Sequence, residues 1–205
     1  MTKRETNLSD VPLFGAIDAH LFAEGTHRRA QEKLGAHVGA HEGRLGTQFA
    51  VWAPNAARVS VVGDFNGWNP SAFYLSPSSA GVWSGFIPGV GRGNLYKYHI
   101  ESVHNGYRVE KADPYGVLHE IPPKTASVVW PLDYQWNDDA WLTERKRGWP
   151  GNKPISIYEL HPGSWMRHMD TGHSLSYREL AQPLADHVAA LGFTHVEIMP
   201  VMNHP

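Results

Sequence analysis

The segment Gly63-Asp64-Phe65-Asn66-Gly67-Trp68-Asn69 sets a tryptophan directly after a tight turn. Asn66-Gly67 suits the left-handed backbone that such a turn needs. An indole carried on a turn presents a flat apolar face, which matches the C–H-rich face of a pyranose ring. Lys97 and Tyr107, on later strands, are candidates for polar and aromatic neighbours of that ring. Packing of Trp68 beneath its own loop is the other reading, and spacing alone leaves both open. A second candidate is the pair Glu159 and Glu197, on runs that read as neighbouring strands. A retaining glycosidase uses two carboxyls about 5 Å apart. Strands that must pack on both sides favour hydrogen-bonded structural carboxylates instead. His37 and His41 stand four apart within Gly-Ala-His-Val-Gly-Ala-His-Glu-Gly. Glycines oppose a helix there, so the rings need not share a face, and no metal site is assigned.

The elements that must hold these residues follow from pattern. Residues 1 to about 35 are polar, with a weak helical stretch from Asp18 to Lys33. From Gly46 onward the texture is that of strands: 47–53, 58–63, 81–87, 95–101, 107–109 and 125–130. Short alternating runs separated by Gly, Pro and Asn predict an antiparallel β-sandwich. Asn105-Gly106 marks a hairpin between two of the runs. Residues 136–153 read as a polar connector containing Trp136, Trp141 and Trp149. Then Lys153 to Pro205 reads as strand, helix, strand. Ser176-Tyr177-Arg178-Glu179 is a capping box. Leu180, Leu184, Val188 and Leu191 form one apolar stripe, and Gly192 is a stop. Pro183 removes one helical hydrogen bond, so a kink is expected there. The flanking strands, 155–161 and 194–201, are short and β-branched, as parallel strands are.

Composition narrows the classes. The chain has 205 residues, a net charge of −2 and no cysteine. Without cysteine there is no disulfide framework and no thiolate metal site or nucleophile. The near-zero net charge gives no long-range field toward nucleic acid or an anionic membrane. The first residues lack the apolar core of a signal peptide, and no run approaches the roughly 20 apolar residues of a span. The expectation is a soluble, cytoplasmic protein without cofactor or metal. Eight tryptophans are spread along the chain, most of them expected in cores or interfaces.

Val59 to Asn69, with Val82-Trp83 and Tyr96-Lys97-Tyr98 downstream, resembles the family 48 carbohydrate-binding modules. These sandwiches precede α-glucan-acting enzymes. The resemblance implies that Trp68 stacks on sugar and Lys97 contacts hydroxyls. Tyr107 falls near the second aromatic of some members. Ile155 to His161 with Gly163-Ser164-Trp165, Leu175 to Ala181, and Leu191 to Val201 resemble the first barrel strand, helix and second strand of branching enzymes in glycoside hydrolase family 13. Glu24-Gly25-Thr26-His27 and Lys33 to His37 are similar to the start of the same enzymes. Pro162 departs from the aliphatic residue common at its position.

The resemblance implies a fold that is mostly β: an antiparallel immunoglobulin-like β-sandwich at 36–135, then at 154–205 the first βαβ unit of a truncated (β/α)8 barrel. It implies the front part of an enzyme that cleaves α-1,4 links and forms α-1,6 branches, with glycogen, amylose or maltooligosaccharide as partner. The family's catalytic carboxylates lie on later strands, so no catalytic residue is assigned and the chain alone is expected to be inactive. Asn203 and His204 would stand at the active face of such a barrel. The alternatives are a non-catalytic glucan-binding module and the front part of a trehalose-releasing hydrolase or a debranching enzyme.

Overall fold

The structure is a computed structural model and describes residues 13–147 and 154–201. Asn203 and His204 lie outside the described residues. The chain divides at Asp133/Tyr134 into two units.

The first unit runs α1 (Ala16–Ala23), β1 (Gly35–His41), β2 (Arg44–Trp52), β3 (Ala56–Gly63), β4 (Ser76–Pro77), β5 (Val82–Pro88), β6 (Leu95–Ser102), β7 (Arg108–Lys111) and β8 (Ser127–Val128). One antiparallel sheet has the order β1-β2-β5-β4. The second has β3-β6-β7, with β8 also paired to β6. Alternation along each strand explains how they close on each other. Phe49, Val51 and Ile87 come from the first sheet, and Val59, Val61, Tyr96 and Tyr98 from the second. These residues form one buried cluster, joined by Leu75, Val90 and Val129. Residues of two-residue period meeting from two sheets make a sandwich core.

The other face of β2 is covered as well. Leu34, Ala50 and Val82 form a second cluster against Phe14, Phe22 and Ala30. The N-terminal segment therefore packs on the outside of the first sheet. Its helical reach is shorter than the Asp18–Lys33 expected from sequence: α1 stops at Ala23, and a single 3-10 turn follows at Ala30–Glu32. Asp18 ties the segment together. Its carboxylate accepts from the Gly15 amide at 2.9 Å and faces His27 at 2.9 Å and Lys33 at 3.6 Å.

Strand β1 was not expected from sequence. It pairs with β2 through a two-residue turn, His41 opposite Arg44. Glu42 and Gly43, with φ 50 and 74, adopt the left-handed values that match hairpin twist. On a strand His37 and His41 do point to the same side, but about 14 Å apart. His37 Nε2 lies 3.0 Å from the Leu34 carbonyl, and the His41 ring packs on Phe86. Rings so far apart cannot share an ion.

The second unit contains α2 (Asp139–Arg147), β9 (Ile157–Leu160), the short α3 (Pro162–Trp165), α4 (Tyr177–Ala190) and β10 (His195–Ile198). Strands β9 and β10 are parallel. The Ser176 capping box closes at both ends: the Glu179 amide donates to Ser176 Oγ and the Ser176 amide to Glu179 Oε2. Leu160, Leu180 and Leu184 are buried with Tyr158, Trp165, Leu175 and Val188 around them. Leu191 leaves the expected stripe and is exposed, because the helix ends at Ala190 and the chain turns away at Gly192. Pro183 sits inside α4 without ending it; its ring stands where an amide would donate to the Glu179 carbonyl. Ile155, Ile157, Val196 and Ile198 are all more than a third exposed.

Candidate functional site

Strand β3 ends at Gly63, and the chain turns through Asp64–Asn66 into Gly67 and Trp68. Gly63 is extended and tightly enclosed. A Cβ there would meet the Leu95 carbonyl at 2.2 Å and the Phe65 ring at 2.4 Å. Gly63→Ala is therefore expected to cost about 1–3 kcal/mol through forced displacement, read as a lower urea midpoint at unchanged slope.

Asn66 holds the turn from within. Its Oδ1 accepts from the Gly63 amide at 3.0 Å. Its Nδ2 donates to the Val61 carbonyl at 3.0 Å and the Asn69 carbonyl at 3.4 Å. A second clamp comes from the loop before β6, where Asn94 Nδ2 donates to Asp64 Oδ1 at 3.1 Å. The Trp68 amide donates to the Gly63 carbonyl at 2.9 Å. Trp68 itself has φ 59, a left-handed conformation that costs a residue with a Cβ about 1–2 kcal/mol. The residue is 36% exposed.

Lys97 belongs to the same end of the second sheet. Gly63 pairs with Tyr96, and Val62 with Lys97. Tyr96 and Tyr98 point into the core, so by strand period Lys97 points outward. No described side chain makes an ion pair with Lys97. The loop at this end also carries Arg92, whose guanidinium lies 4.4 Å from the Trp130 ring centroid and pairs with Asp133. That contact holds the Asp133 carboxyl below the usual range. One face of Trp130 is thus already occupied.

Tyr107 is placed elsewhere. The Asn105-Gly106 turn, with φ 55 and 63, reverses the chain, and the Ser102 amide donates to the Tyr107 carbonyl at 2.8 Å. Ser102 is five residues from Lys97 along β6, about 17 Å. Tyr107 is well exposed at 61%, but no single sugar ring reaches both it and Lys97. The structure brings Trp68 and Lys97 to one end and sets Tyr107 at the other. Asn66 as a threefold clamp and Asn94 as its brace were not singled out from sequence; an Asn preceding Gly-Trp was the available signal.

Glu159 and Glu197 are direct partners in the parallel pair, with Cα atoms about 4.8 Å apart. They share an exposed strip with Ile157 and His195. Nothing described there excludes water, which glycosyl chemistry through a covalent intermediate demands.

Residues 33–116, within the two-sheet sandwich, match the family model described as carbohydrate-binding module 48 (isoamylase N-terminal domain). The pullulanase SAP of Group B Streptococcus shares the fold, with TM-score 0.60 and 20% identity over 84% of this chain and 24% of that one. The type I pullulanase of Bacillus subtilis, solved with maltose, gives TM-score 0.56 and 23% identity over 84% of this chain and 24% of that one.

The sequence relatives are more specific. The 1,4-alpha-glucan branching enzyme GlgB of Paramagnetospirillum magneticum is 52% identical over 95% of this chain and 27% of its own length. GlgB of Albidiferax ferrireducens is 50% identical over 92% of this chain and 30% of its own length. The chain is homologous to the N-terminal region of the GlgB branching enzymes. It spans under a third of the length of these relatives.

Proposed function

We propose that this chain is the glucan-recognising front part of a cytoplasmic 1,4-α-glucan branching enzyme. The immunoglobulin-like sandwich holds an α-glucan chain, and β9-α4-β10 begins a (β/α)8 barrel. In the whole enzyme an α-1,4 link is cut and the freed end is passed to a 6-hydroxyl. The observation that supports the binding reading is that Trp68, held in a costly backbone conformation, and an outward Lys97 with no carboxylate partner among the described residues lie at the same end of the second sheet. Strain retained at an exposed aromatic is what a recognition site would preserve. The indole stacks on one glucose ring and the ammonium donates to its hydroxyls. Tyr107 contacts a later unit of the same chain, which must run along β6 to reach it.

The chemistry of bond cleavage is assigned to other residues of the enzyme, on the later barrel strands where the resembled family carries its catalytic carboxylates. Titration of the purified 205-residue chain with maltoheptaose is expected to give saturable binding. Lys97→Ala is expected to weaken it about tenfold, the value of a charged hydrogen bond, with no change in Tm. Incubation with amylose is expected to yield no α-1,6 branches. Branch formation by the pure chain would overturn the assignment of chemistry, and an unaltered affinity in Lys97→Ala would remove that residue from the site.

A further inference from the structure

The outer face of the first sheet is covered for most of its length and then opens. On β2, Gln48 and Ala50 are buried, Ala50 beneath the N-terminal segment. Trp52 continues the same face by strand period, yet it is 55% exposed. Phe22 meets its ring edge-on, with centroids 6.2 Å apart, and Phe14 meets Phe22 in the same way at 6.2 Å. The indole is thus braced on one side and free on the other.

Beside it lies a cleft of about 550 Å³ lined by Phe22, Ala23, Trp52, Pro54 and the turn Ser78–Gly81. That turn is fixed at both ends. The Ser78 amide donates to the Val82 carbonyl and the Ala53 amide to the Gly81 carbonyl, while Ser78 Oγ accepts from the Val82 amide. The opposite wall carries the exposed Ser79 hydroxyl. Among the described residues no charged side chain lines the cleft. An anion or a cation would lose water without gaining a counter-charge. A ligand with one flat C–H face and a rim of neutral hydroxyls fits both walls.

We propose that the Trp52 cleft is a second sugar-binding site, taking a glucopyranose unit of a neutral α-glucan. This rests on the reading of the chain as a glucan binder. The site is separate from the Trp68 end. Trp52 lies just before β3 begins at Ala56, and Trp68 follows its end at Gly63, so about 24 Å of strand lies between them. One ring cannot serve both. Two arms of a branched glucan can, and the second contact is then made at high effective concentration.

The test is titration of the 205-residue chain with maltoheptaose, followed by calorimetry and by NMR of the indole N–H signals. The Trp52 and Trp68 signals are identified by their loss in Trp52→Ala and Trp68→Ala. Two maltoheptaose molecules per chain are expected, shifting both signals. Trp52→Ala is expected to halve the stoichiometry and leave the Trp68 shift intact, and Trp68→Ala the reverse. Ser79→Glu keeps Trp52 in place and puts a charge on the opposite wall, so it guards against misfolding of the Trp52 variant; it is expected to abolish the Trp52 shift alone. One molecule per chain with a shift at Trp68 only would overturn this inference and leave the first site standing. No binding at all would overturn both.

Discussion

Asp113→Ala is expected to destabilise the sandwich by about 3 kcal/mol, the largest single-residue effect anticipated on its stability. Asp113, in the segment that follows β7, is buried. Its Oδ2 accepts from the Tyr96 hydroxyl at 2.6 Å and the Tyr98 hydroxyl at 3.1 Å, and its Oδ1 from the Tyr115 amide at 2.8 Å. Both tyrosine rings are core residues of β6. Alanine would strand three donors, and each buried unpaired group costs about 1–3 kcal/mol. Partial rescue is available, because the Tyr98 hydroxyl also reaches the Ala50 carbonyl at 3.4 Å. A loss of about 3 kcal/mol lowers Tm by roughly 10 °C or more in a domain of this size.

Acidity carries a separate signature of the same site. Burial raises the Asp113 carboxyl above its ordinary 3.8, against the lowering effect of the tyrosine and amide hydrogen bonds. Burial and the neighbouring carboxylate also raise both tyrosine hydroxyls, so they remain protonated donors at neutral pH. With the native acid pKa raised, the folded state binds more protons than the unfolded one between 3.8 and the native value. Stability from this group is therefore present below 3.8, falls as pH rises through that window, and is constant above it. Asp113→Asn removes the titration while keeping an acceptor for the Tyr115 amide. The stability of Asp113→Asn relative to the native chain is expected to rise with pH across the window, measured by urea unfolding at a series of pH values. A difference that falls with pH would reverse the sign assigned here.

Several strands were legible because their side chains alternate cleanly. Val59, Val61, Tyr96 and Tyr98 enter the core as their period demands, and Asn105-Gly106 turns where its φ preference requires. Strand β1 was not legible. Glycine and alanine in Gly-Ala-His-Val-Gly-Ala-His dilute the alternation, and its turn uses Glu42 where Asn or Asp carries the familiar signal. The cover of the first sheet was hidden for a related reason. Phe14, Phe22 and Ala30 are too widely spaced to show a period, and they meet only on the folded sheet. The place of Tyr107 could have been read by arithmetic. A reversal at Asn105-Gly106 sets it opposite Ser102, five positions beyond Lys97. Their places on later strands suggested both as neighbours of Trp68; strand length holds them apart. The clamp of Asn66 and Asn94 on the turn depends on a contact thirty residues apart in sequence, and no local pattern announces it.

Trp68→Ala is expected to abolish maltoheptaose binding at the β3 end while leaving the fold intact. The turn is held by Asn66, the Gly63 carbonyl and the Asn94–Asp64 contact, none of which uses the indole. What the substitution removes is the flat apolar face. The remaining Lys97 can still donate to hydroxyls, a charged hydrogen bond worth about tenfold in affinity, but it offers no surface on which a sugar ring can stack. An affinity loss of at least tenfold is expected by calorimetry. Trp68→Phe, which keeps a smaller ring, is expected to retain part of it. The backbone gives an internal control that pure packing would not move. Alanine at φ 59 still carries a Cβ and keeps the left-handed penalty, whereas glycine is free of it. Trp68→Gly is therefore expected to be more stable than Trp68→Ala by about 1 kcal/mol, with both equally unable to bind at the β3 end. Equal stability of the two variants would mean that position 68 relaxes out of the left-handed region once the indole is gone. The turn conformation would then be held by the ring rather than by Asn66, and Asn66→Ala would leave glucan affinity unchanged.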